Sequence, residues 1–492
     1  MDDGGRTGAG FVRRLTRSFG RRAERAFGGP ARSRVILTLG AVLALSSADT
    51  ATVGASATSL RHALHVSNFD IGLLVAVNAL VAAVASVPFG VLADRFRRTT
   101  TLGLSIGLWG ACMIWSATAS SFGHLLISRL FLGIATASAG PVVASMLGDW
   151  FPSAERGRIY SYVLTGELLG AGVGFAITGD IAALSWRLAF VVLALPAFVL
   201  ALAVMRLPEP VRGGAGVITP GMIDIPSRAH VSRQPEDDAA PMQPLQETDA
   251  QRVSREQGIR PDQAGALVGD GRALGLLAAT RYILSIRTNV VLIVASAFGY
   301  FYLTGVQTFG SEVIHQQYGV NQAVANLLIL VLGGGAVVGV LIGGRLGDWL
   351  LGRHILTARL RVAWVCAAIA AIAFIPALAT HHALKALPYL VLAAFGLSAQ
   401  NPPLDAARLD IMPAALWGRA EGIRTLLRTL AQALAPLLFG FTSDVVFGGG
   451  DSALRWTFLV MLLPLGASAF WLYRAMESYP RDVATAAAAR PT

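Results

Sequence analysis

Four ionisable residues stand inside long apolar runs: Asp49, Arg129, Glu167 and Arg428. A charged side chain at membrane depth costs at least ~2.5 to 3.5 kcal/mol on insertion scales, so such groups usually face a cavity or a partner. Asp49 lies about 14 residues into the first run, roughly 21 Å at 1.5 Å per residue, and Glu167 about ten residues into the fifth, roughly 15 Å deep. Carboxylates held there are suited to carrying a proton or touching a substrate. For each, the alternative is a static salt bridge or a hydrogen bond to a neighbouring helix. Gln400-Asn401-Pro402-Pro403 must kink or break its helix, because proline lacks an amide donor and clashes with the preceding turn. Freed carbonyls can line a cavity there, which makes Asn401 a candidate substrate contact. Tyr300, Tyr302 and Gln307 offer an amphipathic lining to an organic substrate, with helix packing as the other reading.

A second chemistry sits on turns. Gly90-Val-Leu-Ala-Asp94-Arg95-Phe-Arg97-Arg98 closes one apolar run, and Gly344-Arg-Leu-Gly-Asp348-Trp-Leu-Leu-Gly-Arg353 closes another. The sequence holds no HExxH, GxSxG, Walker loop or Cys/His cluster, so neither an enzyme nor a metal or cofactor site is expected. Cys112 and Cys366 fall apart in separate apolar runs and read as packing residues.

The elements that must hold these groups follow from composition. The chain has 492 residues, 54% of them hydrophobic and only 14% charged, with a mean hydropathy of +0.58, which places it in a bilayer. A helix needs roughly 20 apolar residues to cross ~30 Å of hydrocarbon. Twelve runs qualify, at 35–59, 69–92, 100–119, 123–148, 157–182, 187–207, 289–311, 322–343, 360–379, 386–409, 418–441 and 456–474. Cleavage of the first as a signal peptide is not expected, because the run continues past Asp49 and its loss would reverse the loop charges.

The formal net charge of +11 does not point to nucleic acid, because the cations lie on one side of the spans. Arg95 to Arg98, Arg156 to Arg158, Arg353 to Arg361 and the tail before Val35 share that side, and the positive-inside bias assigns both termini to the cytoplasm. Within the tail (1–34), Phe11, Val12, Leu15, Phe19, Ala23 and Phe27 share a helical face opposite arginines, the pattern of an interfacial helix on anionic lipid. The polar stretch 208–287 reads as a cytoplasmic linker with little fixed structure, except for an amphipathic helix from Arg272 to Ile286. It separates two six-span bundles, 35–207 and 288–474, and 475–492 forms a second tail.

The bundles echo one another in order. Asp94 matches Asp348, Arg158 matches Arg419, and Arg187 matches Arg455, which implies duplication. Repeats of this kind place a binding site at their interface and let one half rock against the other. In repeat coordinates Glu167 stands opposite Arg428, one carboxylate and one guanidinium flanking a central cavity.

The chain resembles the major facilitator superfamily. The residues that carry the likeness are Gly90-x-Leu-Ala-Asp94-Arg95-x-x-Arg98, Arg129-Leu-Phe-Leu-Gly133, Gly140-Pro141, Asp149-Trp-Phe-Pro152-x-x-Glu155-Arg156-Gly157 and Trp186-Arg187-x-x-Phe190. Arg97 replaces the family's usual glycine, and the second copy carries an extra residue before Gly352. The resemblance implies an all-α fold of twelve helices in two pseudo-symmetric bundles, a monomer, and alternating-access transport of a small organic or amphipathic solute, coupled to protons. It implies a structural role for Arg129. It also implies a gate: Asp94, with Arg95 and Arg98, would meet the start of span eleven near Arg419 or Arg424, and Asp348 would meet the start of span five near Arg156. Glycines at 166, 170 and 174 and at 335, 339 and 343 would make smooth faces where spans five and eight meet between the halves.

A narrower likeness, in Asp49-x-x-Thr52-Val53 and Ser67-Asn-Phe-Asp70, is to the spinster-type branch and its lipid-like substrates. Thr50 and Thr136 stand where that branch carries arginine and glutamate. A receptor or scaffold on the same fold is the remaining alternative.

Overall fold

Apolar runs of this length satisfy their backbone inside a bilayer as helices, and in the computed structural model every regular element among the described residues is helical. The structure describes residues 27–151, 159, 162–163, 165–167, 169–172, 174–209, 218, 221–223, 248–267, 274–413, 416–450 and 452–489. Side chains at 86–95, 141, 144–145, 148, 276, 417–419 and 421–422 lie outside that description.

Eleven helices are long and apolar enough to cross a membrane, and a twelfth, Phe122–Thr136, is shorter. That helix is the first part of span four, which restarts as Ala139–Trp150. Pro141 has no N–H to give Ala137, which accounts for the break. Span ten is broken as its prolines require, into Ala383–Ala399 and Asn401–Asp410. Polar caps start other spans: Ser121 accepts from the His124 N–H at 3.3 Å, and Asn321 from Val324 at 2.9 Å.

Boundaries differ from expectation at both ends of the first span. Its helix begins at Pro30, inside the expected tail, and after Ser56 the chain continues as Ala57–Leu64. Proline suits a helix start because its missing N–H would be unpaired there anyway. The interfacial tail helix falls outside the described residues except for Phe27, whose ring lies 5.1 Å from that of Tyr162. Span seven runs as Arg287–Tyr318, past the expected end.

The linker departs further from expectation. The helix foreseen near Arg272 exists as Leu276–Ser285, but Asp249–Glu256 is also helical, started by a capping box between Thr248 and Gln251. Gln251 donates to the Asp410 carbonyl at 3.0 Å, and the Asp262 N–H donates to Thr485 Oγ1 at 2.9 Å on the C-terminal helix Tyr479–Ala487. This end of the linker is therefore attached to the second half. The other end is attached to the first: Ile218 N–H reaches the Trp150 carbonyl at 3.1 Å and Gly221 N–H the Gly28 carbonyl at 2.7 Å.

The two glycine stripes pack inside the halves, not between them. A Cβ on Gly166 or Gly170 would stand 2.3 or 2.0 Å from the carbonyl oxygen of Gly40 or Ala44 in span one. On Gly339 or Gly343 it would stand 2.3 or 2.0 Å from that of Phe395 or Ala399 in span ten. Spans five and eight do meet, but through Gly179, where a Cβ would collide with the Asn326 amide, and through Gly172 against Leu330.

Candidate functional site

Asp49 from span one and Arg129 from span four meet directly. Arg129 Nη1 donates to Asp49 Oδ1 at 2.7 Å, and both side chains are 1% exposed. The guanidinium carbon also stands 4.7 Å from the centre of the Phe190 ring, a cation–π contact from span six. The pair borders a cavity of about 170 Å³ whose wall also includes Thr50, Asn78 and Thr136. Asp49 is thus an ion-paired carboxylate on a cavity wall. Arg129 holds spans one, four and six together and reaches the same cavity.

Glu167 and Arg428 stand within range of each other's charge, as repeat symmetry suggested, but no ion pair joins them among the described residues. Arg428 instead lies over Tyr300, 4.7 Å from the ring centre, and also interacts with the charge of Asp405. Asp405 in turn is 2.8 Å from Arg424 Nη1. Asn401 donates weakly to the Leu397 carbonyl at 3.5 Å, and its Oδ1 has no hydrogen-bond partner among the described residues. Tyr302 is not a lining residue: it is fully buried, 4.9 Å from Phe374 and 6.0 Å from Phe439 between ring centres. Gln307 lies where span seven touches span one, its carbonyl only 2.3 Å from where a Cβ of Gly54 would stand.

Two of the expected gate residues, Arg98 and Asp348, belong instead to matching clamps near the termini, one inside each half. Arg98 pairs with Asp149 and, at 3.1 Å, with Glu209. Arg359 pairs with Asp410 and, at 2.9 Å, with Asp348, while the Tyr479 hydroxyl donates to Asp410 at 2.6 Å. Arg98 and Asp149 are 51 residues apart, as are Arg359 and Asp410, so the repeat has kept the clamp. Asp348 therefore finds a cation of its own half. The side chains of Asp94, Arg95, Arg156 and Arg419 lie outside the described residues.

Glu209 caps span three. It accepts from the N–H groups of Arg98 and Thr99, each at 3.0 Å, and from both side chains. Burial pushes its carboxyl up, but these donors outweigh burial and hold it below the ordinary glutamate value. A depressed value means the stabilisation is complete above the unfolded-state value and is lost as pH falls through the folded one. Glu209→Ala is expected to destabilise by about 3 kcal/mol at neutral pH. Thermal melts of both proteins in detergent should converge in acid, and an unchanging difference would refute the account.

A third group of contacts was not foreseen. On the side away from the termini, Glu312 is 3% exposed in its side chain and joins the halves. It accepts from Arg61 Nη1 at 3.0 Å, from Gln316 Nε2 at 2.6 Å and from the Thr58 hydroxyl. Asn68 Nδ2 reaches Ser443 Oγ at 3.1 Å, and the Phe69 N–H donates to Asp444 Oδ2 at 2.5 Å, so the second half caps a helix of the first. Ser443 and Asp444 lie in a π-helical turn, Thr442–Val446, whose counterpart is Gly174–Thr178 at the end of span five. The sequence reading missed Glu312 because it ended span seven one residue earlier. Asp444→Ala removes a cap worth about 0.5 to 2 kcal/mol, a two- to thirtyfold shift toward opening this side. Spin labels at His62→Cys and Asn321→Cys should report it as a longer mean distance.

Comparison with known proteins gives this geometry a family. A model described as Major Facilitator Superfamily matches residues 38–415. The chain belongs to that superfamily. Within the superfamily, it is 26% identical to Protein spinster of Drosophila melanogaster over 167 residues, 34% of this chain and 28% of that protein. To the D-xylose transporter of Levilactobacillus brevis it is 29% identical over 168 residues, 33% of this chain and 36% of that one. The chain thus spans under two-fifths of the length of these relatives. Its fold is that of a bacterial homologue of the human lysosomal transporter Spinster, solved inward-facing and unoccupied. The TM-score is 0.68 at 20% identity, covering 93% of this chain and 98% of that one.

Proposed function

We propose that the chain is a secondary active transporter that moves a small organic solute across the cytoplasmic membrane by alternating access, with a proton as the coupling ion. The observation that carries this reading is the Asp49–Arg129 pair, buried at 2.7 Å on a cavity wall. When Asp49 takes up a proton, the charge that holds Arg129 disappears, and the guanidinium turns to the solute. Neutralising one member of a buried pair costs several kcal/mol unless the other finds a new partner, so proton and solute favour each other's binding.

The rest of the molecule fits the same cycle. With both termini in the cytoplasm, the contacts of Glu312 and Asp444 seal the external side, while Arg428, Tyr300, Asn401 and Gln307 supply further solute contacts from the second half, opposite Glu167. The clamps at Arg98 and Arg359 keep each half rigid as it rocks, and Asp94 with Arg95, Arg156, Arg419 and Arg424 form the cytoplasmic gate. A relative named as a D-xylose transporter supports a solute that is organic and leaves its class open.

Proteoliposome uptake under an imposed pH gradient tests the reading. Wild-type protein should accumulate solute with the gradient, and Asp49→Asn should exchange solute without accumulating it. Accumulation by Asp49→Asn equal to wild type would overturn the coupling assignment.

A further inference from the structure

The cavity beside Arg129 has a donor and acceptor pattern that selects its occupant. Arg129 uses Nη1 on Asp49, but its Nε and Nη2 have no hydrogen-bond partner among the described residues, although the side chain is 1% exposed. Charged donors left unfilled in such a place cost more than neutral ones. Beside the guanidinium the wall also offers acceptors. Asn78 Oδ1 has no hydrogen-bond partner among the described residues. The hydroxyl hydrogens of Thr50 and Thr136 are given to the carbonyls of Ser46 and Gly133, at 3.5 and 3.1 Å, which leaves their oxygens to accept.

Once Asp49 is neutral and the guanidinium turns to the cavity, a complementary molecule presents an anionic oxygen pair to its edge and, beside it, hydroxyl donors to Asn78, Thr50 and Thr136. A carboxylate matches the fork of Nε and Nη2 in a bidentate manner. The volume of about 170 Å³ slightly exceeds that of an engineered cavity of ~150 Å³ that holds a benzene-sized molecule, so it admits about six or seven non-hydrogen atoms. We propose that this cavity binds the hydroxycarboxylate end of the transported solute, and that the substrate class is small hydroxy acids. This rests on the transporter reading above. It goes beyond it by requiring both the charge and the hydroxyls: a plain fatty acid lacks the donors and a neutral polyol lacks the anion.

Titration calorimetry on the purified full chain in detergent tests this with three probes of similar size: glycerate, propionate and glycerol. Glycerate should bind, with propionate and glycerol each at least tenfold weaker. Asn78→Ala and Thr136→Val should weaken glycerate about three- to tenfold and leave propionate unchanged. The comparison among probes needs no variant, so a misfolded mutant does not rescue the idea. Equal binding of glycerol and glycerate, equal binding of propionate and glycerate, or binding of none of the three overturns the proposal; in the last case water alone fills the cavity. Uptake assays separate this outcome from the transporter reading. Gradient-driven uptake of another solute without glycerate binding removes the hydroxy-acid site alone, whereas glycerate binding with no uptake of any solute removes transport and keeps the site.

Discussion

Arg129→Ala should melt well below the wild-type protein, by about 3 to 5 kcal/mol, because it strands the Asp49 carboxylate in a buried site and empties the space under the Phe190 ring. Gradient-driven uptake should vanish with it. Asp49→Asn combined with Arg129→Gln replaces the ion pair with a neutral amide pair, and replacing both partners of a buried pair is far milder than removing one. The double variant should therefore regain most of the lost stability while its uptake stays indifferent to the pH gradient. Melting temperatures and uptake measured on the three proteins separate the structural role of the pair from its coupling role. If the single and double variants melt alike, the pair does not hold spans one and four together.

Gly72→Val should prevent the side away from the termini from closing. A Cβ at Gly72 would stand 2.2 Å from the Pro436 carbonyl oxygen, and at Gly440 it would stand 2.5 Å from that of Asn68, so spans two and eleven touch backbone to backbone there. Backbone cannot swing aside as a side chain does, and valine adds two further methyl groups. The state closed on this side is the one penalised, by an overpacking cost of typically 1 to 3 kcal/mol or more. The expected result is a protein biased open on this side, with uptake reduced at least tenfold. Labels at His62→Cys and Asn321→Cys should lie farther apart than in the parent protein, and an unchanged distance would contradict the contact. Gly107, which meets nothing within 4 Å, supplies the control: Gly107→Ala should behave as wild type.

The fold was legible because its causes are local. Run length, the prolines at 402 and 403 and the one-sided arginines each act within a few residues, and they led to twelve spans and the break in span ten. The partners of the charges were not legible. Asp49 and Arg129 are 80 residues apart, and which faces of spans one and four meet depends on rotations that no local pattern records. The glycine stripes show the same limit. Small residues every four positions announce a close neighbour without naming it, and the neighbours proved to be spans one and ten of the same half. The helix at Asp249–Glu256 had a readable signal in Thr248 and Gln251, but the polar composition around it outweighed one capping box. Glu312 was lost to a boundary, since a carboxylate one residue beyond a span looks like a loop charge.

The anchored ends of the linker change what the connection between the halves has to do. Ile218 and Gly221 are bonded to the first half and Gln251 and Asp262 to the second, so each half holds its own end of the linker. Severing it near residue 235 should give two polypeptides that, expressed together, find each other through the contacts of Glu312, Asp444 and the paired glycines and transport as the intact chain does.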